Sequence, residues 1–336
     1  MSVAGEAGPD DAATLEDLGE AGILDGIFAA LTTTERVLVG PGDDTALLAT
    51  SGPVLATTDA MVRGRDWLDQ WSSAHDVGAK VVVQNLADLA AMGGVGTGLL
   101  VTLIAPGTLS ARWARELTGG IAAVAAATGV PVIGGDLSSS DGAVAVSVTA
   151  LGELPGGRAV LRSGAEPGQD LAVSGSLGRS AAGLEVLRRS DADWWPPQEY
   201  AEEVAGWVAY HCRPDPDLSQ GPRAADSGAT AMLDVSDGLV RDAGRIATAS
   251  NVRVDLDEEV LAGLAGVYEP VLGARTALDC VLSGGEEHSL LAAFPAGEVP
   301  TGWTVVGAIA EKGAAGPGVW WRGERATSGG WDHFGG

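Results

Sequence analysis

Acidic residues flanked by glycine or hydroxyl side chains recur along this chain: Gly40-Pro41-Gly42-Asp43-Asp44, Thr57-Thr58-Asp59, Gly134-Gly135-Asp136 and Asp234-Val235-Ser236-Asp237-Gly238. A fifth acid, Asp88, stands in Gln84-Asn85-Leu86-Ala87-Asp88. Carboxylates are the hard oxygen donors that magnesium prefers, and small neighbours let backbone approach a bulky anion. The chemistry this suggests is cation-assisted reaction of a phosphate. Taken singly, any of these motifs reads first as a turn or a helix cap. Asp237-Gly238 is placed to cap a helix starting at Leu239, and Asp43-Asp44 could lie in a solvated loop. Five in one chain favour a shared site over five separate turns, although 45 acids leave room for coincidence.

The elements that must position these acids alternate between the two periodicities. Short β-branched runs bounded by Gly, Pro or Asp predict strands at 37–39, 54–58, 99–104, 130–133 and 143–151, then at 171–174, 231–235, 252–256, 289–294 and 304–309. Helical spacing predicts helices at 15–31, 75–92 and 110–128, then at 180–189, 199–210 and 239–250. Val81-Val82-Val83 counts against the second of these, because β-branched residues disfavour helix. On this reading most of the acids lie where a strand runs out, at the open mouth of a sheet. If 84–88 is helical, Gln84, Asn85 and Asp88 share one face. The Gly/Pro-bearing stretch 153–158 divides the chain, giving domains at 1–153 and 154–336. The fold class expected is α+β, mixed α/β, in two domains, as 336 residues exceed one hydrophobic core.

Composition narrows the partners. A formal charge of −25, with lysine only at Lys80 and Lys312, argues against nucleic acid or an anionic membrane surface. No apolar stretch is long enough to span a membrane uninterrupted. Cys212 and Cys280 cannot build a disulfide framework, and the acidic start lacks the regions of a signal peptide, so a cytoplasmic setting is expected. No GxxxxGK[ST], helix-opening GxGxxG or protein-kinase tripeptide set is present, which leaves carboxylate-held cations and Gly-rich backbone to bind any nucleotide. His75, His211, His288 and His333 show no metal-ligand spacing.

In order along the chain, GPGDDTALL, TTDAMVRGRDW, QNLADLAAMG, GGDLSSS, LRSGAEPGQ, SGSLGRSAAGL, LDVSDGL, SGGEEHSLL and the terminal WDHF resemble the segments of the thiamine-monophosphate kinases. These belong to a superfamily with aminoimidazole ribonucleotide synthetase, selenophosphate synthetase and a hydrogenase-maturation protein. The resemblance runs from about Leu18 to Phe334. The aspartate pattern is general to the superfamily, whereas the RSGA-x-PG segment, the SGGE-type loop and the DHF ending point to the thiamine enzymes. It implies a homodimer with paired N-terminal domains, a C-terminal α/β domain, and an active site in the cleft between the two domains.

By the same resemblance Asp43, Asp44, Thr57, Thr58, Asp59, Asp88, Asp136, Asp234 and Asp237 would hold several magnesium ions. Among these, Asp44, Asp59, Asp88, Asp136 and Asp237 would be catalytic. Gly135, Asp136, Arg162 and Ser236 would contact ATP, and Glu286 and Trp331 the thiamine substrate. Two positions depart from the pattern. Asp66, with Trp67 after it, replaces the substrate-side histidine of a G-x-H-F segment, and Glu287 replaces the Asp of a GGED loop.

The chemistry suits these residues. A phosphate monoester with a second pKa of about 6 is largely dianionic at neutral pH, so thiamine monophosphate needs no general base. The obstacle is repulsion between anions, about 4 kcal/mol per pair of unit charges at about 4 Å and an effective dielectric near 20. Bridging magnesium ions remove it. Arg162 could clamp a phosphate, and Trp331 could stack on the thiazolium cation. Two other readings stay open: a related ATP-dependent enzyme with another acceptor, which Asp66 motivates, and a nucleotide-binding homologue without turnover.

Overall fold

The computed structural model describes residues 13–41, 45–190 and 194–326. The chain separates into two compact units, one of residues up to Asn85 with Gly96–Glu153, the other of Leu86–Val95 with the residues from Leu154 onward.

In the first unit, α1 (Leu15–Ala30) starts at a capping box between Thr14 and Asp17 and bends at Gly19, whose φ is 65°. A small hairpin of β1 (Val37–Val39) and β2 (Leu47–Leu48) follows, then β3 (Leu55–Val62), α2 (Ala74–Ala91), β4 (Val95–Ala105), α3 (Ala111–Thr128), β5 (Val132–Ser139) and β6 (Ala145–Glu153). The larger sheet has the order β3-β6-β4-β5, so β3 and β5 are its two edges. Helix α2 forms despite Val81-Val82-Val83, because all three side chains are buried and packing outweighs a small propensity cost. It crosses α3 closely at two glycines. A Cβ on Gly78 would stand 2.1 Å from the Leu117 carbonyl oxygen, and one on Gly120 would stand 1.9 Å from that of His75.

The second unit contains β7 (Asp170–Val173), α4 (Arg179–Ser190), α5 (Ala201–Cys212), α6 (Gln220–Asp226), β8 (Ala231–Asp234), α7 (Leu239–Ser250) and β9 (Arg253–Leu256). It continues with α8 (Glu258–Ala265), α9 (Glu269–Leu272), α10 (Ala274–Ser283), β10 (Leu290–Phe294), β11 (Thr304–Ala310), β12 (Gly318–Trp321) and β13 (Glu324–Arg325). One seven-stranded sheet, ordered β13-β12-β9-β11-β7-β10-β8, carries a core that includes Leu171, Leu233, Leu239, Ile246, Leu261 and Leu291. Asn251 in the left-handed region ends α7, as an asparagine C-cap can.

Both units are mixed α/β, as expected from the sequence. Five elements differ in ways that matter. Strand β3 runs to Val62, so Thr57-Thr58-Asp59 lies inside a strand and not where one runs out. Likewise Asp136 falls within β5. Helices α6, α8 and α10 have no counterpart in the sequence reading.

The β1–β2 hairpin is tied down at both flanks by one acid. Glu153, buried at the end of β6, accepts hydrogen bonds from Arg36 Nη1 at 2.7 Å, Ser51 N at 2.8 Å and Ser51 Oγ at 2.7 Å. The Arg36 guanidinium, with the Ser51 donors, holds its carboxyl down at about 2. Glu153→Gln is expected to cost about 1–2 kcal/mol near neutral pH. A depressed folded pKa stabilises above the unfolded value and loses that contribution as pH falls. The difference between wild type and variant in urea unfolding should therefore hold steady above about pH 5 and shrink as pH drops toward about 2.

Candidate active site

In the second unit, two segments about fifty residues apart in sequence form one surface. The ladder of β8 with β10 pairs Asp234 with Leu290, and backbone bonds carry the pairing past the strand ends. Val235 N donates to Ser289 O at 2.8 Å, His288 N to Val235 O at 2.9 Å, and Glu286 N to Ser236 O at 2.8 Å. Asp234, Ser236, Asp237 and Glu286 are thereby brought together. The return loop is backbone-strained, with φ of 59° at Glu286 and 55° at His288, both non-glycine. Its approach is close: a Cβ on Gly285 would stand 2.5 Å from Ser236 O.

The carboxylates here have partners. Asp234 Oδ2 lies 3.1 Å from His288 Nδ1, and Glu286 Oε2 lies 3.4 Å from His211 Nδ1. Asp237 is ion-paired with Arg245, which also pairs with Asp242, while Asp242 Oδ2 accepts the Asp237 N–H at 2.9 Å. Asp242 is wholly buried, and burial pushes its carboxyl up to about 6. Asp237 does not cap α7 through its side chain; Gly238, with φ of 111°, is the N-cap and makes no side-chain cap bond.

Beneath this surface Glu287 is fully buried. Its Oε1 accepts Ser180 N at 2.8 Å and its Oε2 accepts Ser176 Oγ at 2.8 Å, while Tyr210 Oη donates to the Glu287 carbonyl at 2.7 Å. Loss of water raises the Glu287 carboxyl above the usual range. The same cause raises the Tyr210 hydroxyl. Glu287 thus supplies the acceptor that the N-terminus of α4 lacks and fastens the strained loop from below.

In the first unit, Thr57 and Asp59 share one face of β3, and Asp59 is in register with the buried Val148 of β6. Asn85, wholly buried on α2, accepts the Asp59 N–H at 3.0 Å and donates to Val81 O at 2.7 Å. Asp88, on the stretch of this helix that belongs to the second unit, is half-buried. Thr58 points to the other face and donates to Val148 O at 3.0 Å. Gly135 is required: a Cβ there would stand 1.9 Å from Val101 O. Asp136 is exposed, accepts from Ser138 Oγ at 2.6 Å, and pairs in register with Thr102.

Asp59 and Asp136 therefore occupy opposite edge strands of one sheet, three strand spacings or about 14 Å apart. The expectation that these two side chains meet in one pocket is not met within the chain. Among the described residues no group of three His, Cys, Asp or Glu side chains is set to hold a metal ion. The donors that do cluster, Thr57 with Asp59 and Asp234 with Ser236 and Asp237, are all oxygen donors and fit magnesium rather than a softer metal.

Asp66 accepts the Val62 N–H at 2.7 Å, which commits one of its oxygens to closing the turn after β3. Trp67 is buried and stacks on Trp113 with centroids 6.2 Å apart. Arg162 is exposed, and its carbonyl accepts from Ser250 Oγ at 3.1 Å. Asp43, Asp44 and Trp331 lie outside the described residues. Sequence reasoning missed His211, His288, Asp242 and Arg245. The Asp242–Arg245 spacing of three on a helix was a usable signal for that pair, whereas nothing local announces the contacts of the two histidines.

This architecture defines a class. Residues 42–154 match the model of the AIR synthase related protein, N-terminal domain. The chain is similar over its length to the thiamine-monophosphate kinase of Mycobacterium tuberculosis, 41% identical over 329 residues, 96% of this chain and 93% of that protein. Among solved structures it resembles the thiamine-monophosphate kinase from Stenotrophomonas maltophilia, with TM-score 0.76 and 30% identity, covering 90% of this chain and 96% of that one. It also resembles AaThiL complexed with AMPPCP and TMP, with TM-score 0.72 and 30% identity, covering 95% and 98%. The chain belongs to the thiamine-monophosphate kinase family.

Glu287 gives a test of how the loop is held. Glu287→Ala is expected to cost about 3 kcal/mol, since it leaves the Ser180 N–H and the Ser176 hydroxyl without their acceptor, whereas Glu287→Gln should cost about 1 kcal/mol. A buried carboxyl with a raised pKa contributes most below its unfolded value and loses stability as pH rises through the folded one. Stability curves measured from acid to neutral pH should therefore show the wild type losing ground relative to Glu287→Gln as pH rises.

Proposed function

We propose that this chain transfers the γ-phosphoryl group of ATP to thiamine monophosphate, producing thiamine diphosphate and ADP. The observation that carries this is full-length similarity to thiamine-monophosphate kinases at 41% identity, joined to the pairing of the Asp234–Asp237 and Gly285–His288 segments into one surface. A terminal oxygen of the substrate phosphate forms the new bond to phosphorus. The bond from that phosphorus to the β,γ-bridging oxygen breaks, and its electron pair leaves with ADP. The attacking oxygen is already anionic at neutral pH, so no side chain has to remove a proton.

Asp43, Asp44, Thr57, Thr58, Asp59, Asp88, Asp136, Asp234 and Asp237 are the residues that would hold magnesium. When bound, magnesium neutralises the facing phosphates and stabilises the charge of the transition state. Asn85 fixes the backbone of Asp59, and Glu287 fixes the loop of Glu286, so each carboxylate is preset before substrate arrives. Gly135 and Ser236 present backbone or hydroxyl to the nucleotide, Arg162 clamps a phosphate, and Glu286 with Trp331 contacts the thiamine side.

The functional protein is a homodimer. Edges β3 and β5 carry Asp59 and Asp136, and the exposed Ala56, Ala60, Leu100 and Ile104 leave that sheet with apolar surface open to solvent. Two such sheets joined edge to edge would set β5 of one copy beside β3 of the other and remove both unpaired edges. Among the described residues no helix is long and apolar enough to cross a membrane. We place the enzyme in the cytoplasm, where ATP is available and Cys212 and Cys280, which form no disulfide, stay reduced.

Incubation with ATP, magnesium and thiamine monophosphate should yield thiamine diphosphate by chromatography; a preparation that binds ATP but forms none removes the proposal. Asp59→Asn and Asp136→Asn should each lower kcat by about 100-fold or more. Co-refolding the two inactive variants provides a sharper check on the dimer. Shared sites regain activity in mixed dimers, which hold one site with both aspartates, whereas sites built within one chain stay inactive.

A further inference from the structure

Val204, Trp207 and His211 recur along α5 at the spacing that makes one helix face, and all three are buried. Val204 and Trp207 belong to the apolar core, so His211 is a polar ring in a stripe that packing alone would fill with carbon. Burying an imidazole there is costly unless its nitrogens find partners. Two stand at Nδ1: Ser180 Oγ at 3.1 Å and Glu286 Oε2 at 3.4 Å. An ionised carboxylate offers no donor, which assigns the proton to Nδ1 and aims it at oxygen.

The ring is itself held in place. Helix α4 passes so close that a Cβ on Gly183 would stand 3.0 Å from His211 Cβ and 2.2 Å from the Trp207 carbonyl oxygen. Ser180, about one turn earlier on α4, is buried and serves both loop acids. Its N–H donates to Glu287 Oε1 at 2.8 Å, while its hydroxyl meets the ring that faces Glu286. Tyr210 Oη donates to the Glu287 carbonyl at 2.7 Å. Consecutive residues of α5, Tyr210 and His211, thus reach consecutive residues of the strained loop, Glu287 and Glu286.

Glu286 is the acid that needs such a hold. Its main chain is set by the bond from its N–H to Ser236 O, but its side chain turns about three bonds and is 37% exposed. A loose carboxylate surrenders that freedom when a ligand arrives. One held in a single rotamer returns up to about 10-fold in affinity. Glu287 needs no such help, since it is enclosed and bonded at both oxygens.

We infer that His211 is a positioning residue: from within the core, and without touching substrate, its Nδ1 presets the Glu286 carboxylate for the thiamine end of the substrate. That Glu286 meets the thiamine end rests on the kinase reading; the grip of His211 on Glu286 does not.

The test is steady-state kinetics of the full chain with each substrate varied in turn. His211→Leu should raise KM for thiamine monophosphate by about 10-fold and leave KM for ATP within about 2-fold of the wild type. His211→Asn, whose amide nitrogen stands close to the place of Nδ1, should bring KM for thiamine monophosphate back to within about 3-fold. In a Glu286→Ala background His211→Leu should add nothing to that KM, because its effect passes through Glu286. Equal effects on both substrates, no effect on either, or an undiminished effect in the Glu286→Ala background overturns the proposal. Urea unfolding of the wild type, His211→Leu, Glu286→Ala and the double variant separates the two readings. The drop in midpoint of the double variant should be smaller than the sum of the single drops. Such non-additive midpoints in a protein that forms no thiamine diphosphate would leave the grip standing and remove the kinase reading. Additive midpoints in a protein that forms product would do the reverse.

Discussion

The candidate site depends on a short run of backbone hydrogen bonds that continues the β8–β10 ladder beyond the end of β8. Val235 and Ser236 on one strand exit and Glu286, His288 and Ser289 on the other exchange them. Left to itself the loop 285–288 would not adopt its conformation, because two non-glycine residues with positive φ cost roughly 1–3 kcal/mol each. Three things hold it: the ladder, the close approach that Gly285 permits, and the buried Glu287 bonded to the start of α4. Side chains with opposite roles result on adjacent residues, Glu286 partly exposed beside His211 and Glu287 enclosed.

Charge is managed in the same way throughout. A chain with 45 acids and 20 bases would repel itself if its carboxylates were left to crowd. Glu153 takes Arg36 and Ser51, Asp237 takes Arg245, Asp234 takes His288, and Asp66 takes a backbone N–H. Glu153 and Asp66 fix the chain at turns. Among the acids proposed as ligands, Asp136, Asp234 and Asp237 are each held through Oδ2, by Ser138, His288 and Arg245. Arg245 serves two acids at once, pairing with both Asp237 and Asp242.

Much of this was legible from sequence because local signals agreed. Helix 239–250 is bounded by Gly238 and Asn251, and both boundaries hold to the residue. Strand 37–39 also matches, and most other strands differ by a few residues at their ends. The failures have physical causes. Strand β3 continues past Asp59 because β6 pairs it residue by residue to Val62, a tertiary effect that the polar Thr-Thr-Asp sequence conceals. Helices α6, α8 and α10 are 7, 8 and 10 residues long, too short for periodicity to stand out. Motif order singled out Asp234, Ser236, Asp237 and Glu286, whose segments pair in the fold, but no spacing could show that Asp59 and Asp136 would stand on opposite edges of one sheet. Strand order is a property of topology, and sequence reveals it only through the fold.

Glu287 shows how a departure from a family pattern can be explained by packing. Where a GGED loop would end in aspartate, this chain has one more methylene, about 1.5 Å of extra reach. That reach is used: both carboxylate oxygens sit at 2.8 Å from their donors, one the Ser180 N–H at the start of α4 and the other Ser176 Oγ. An aspartate on the same backbone would fall short of both unless α4 moved inward. It cannot move far, since Gly183 on that helix already stands where a Cβ would lie 2.2 Å from the Trp207 carbonyl of α5. The longer acid and the helix position are therefore linked, and the residue at 287 follows from where α5 holds α4.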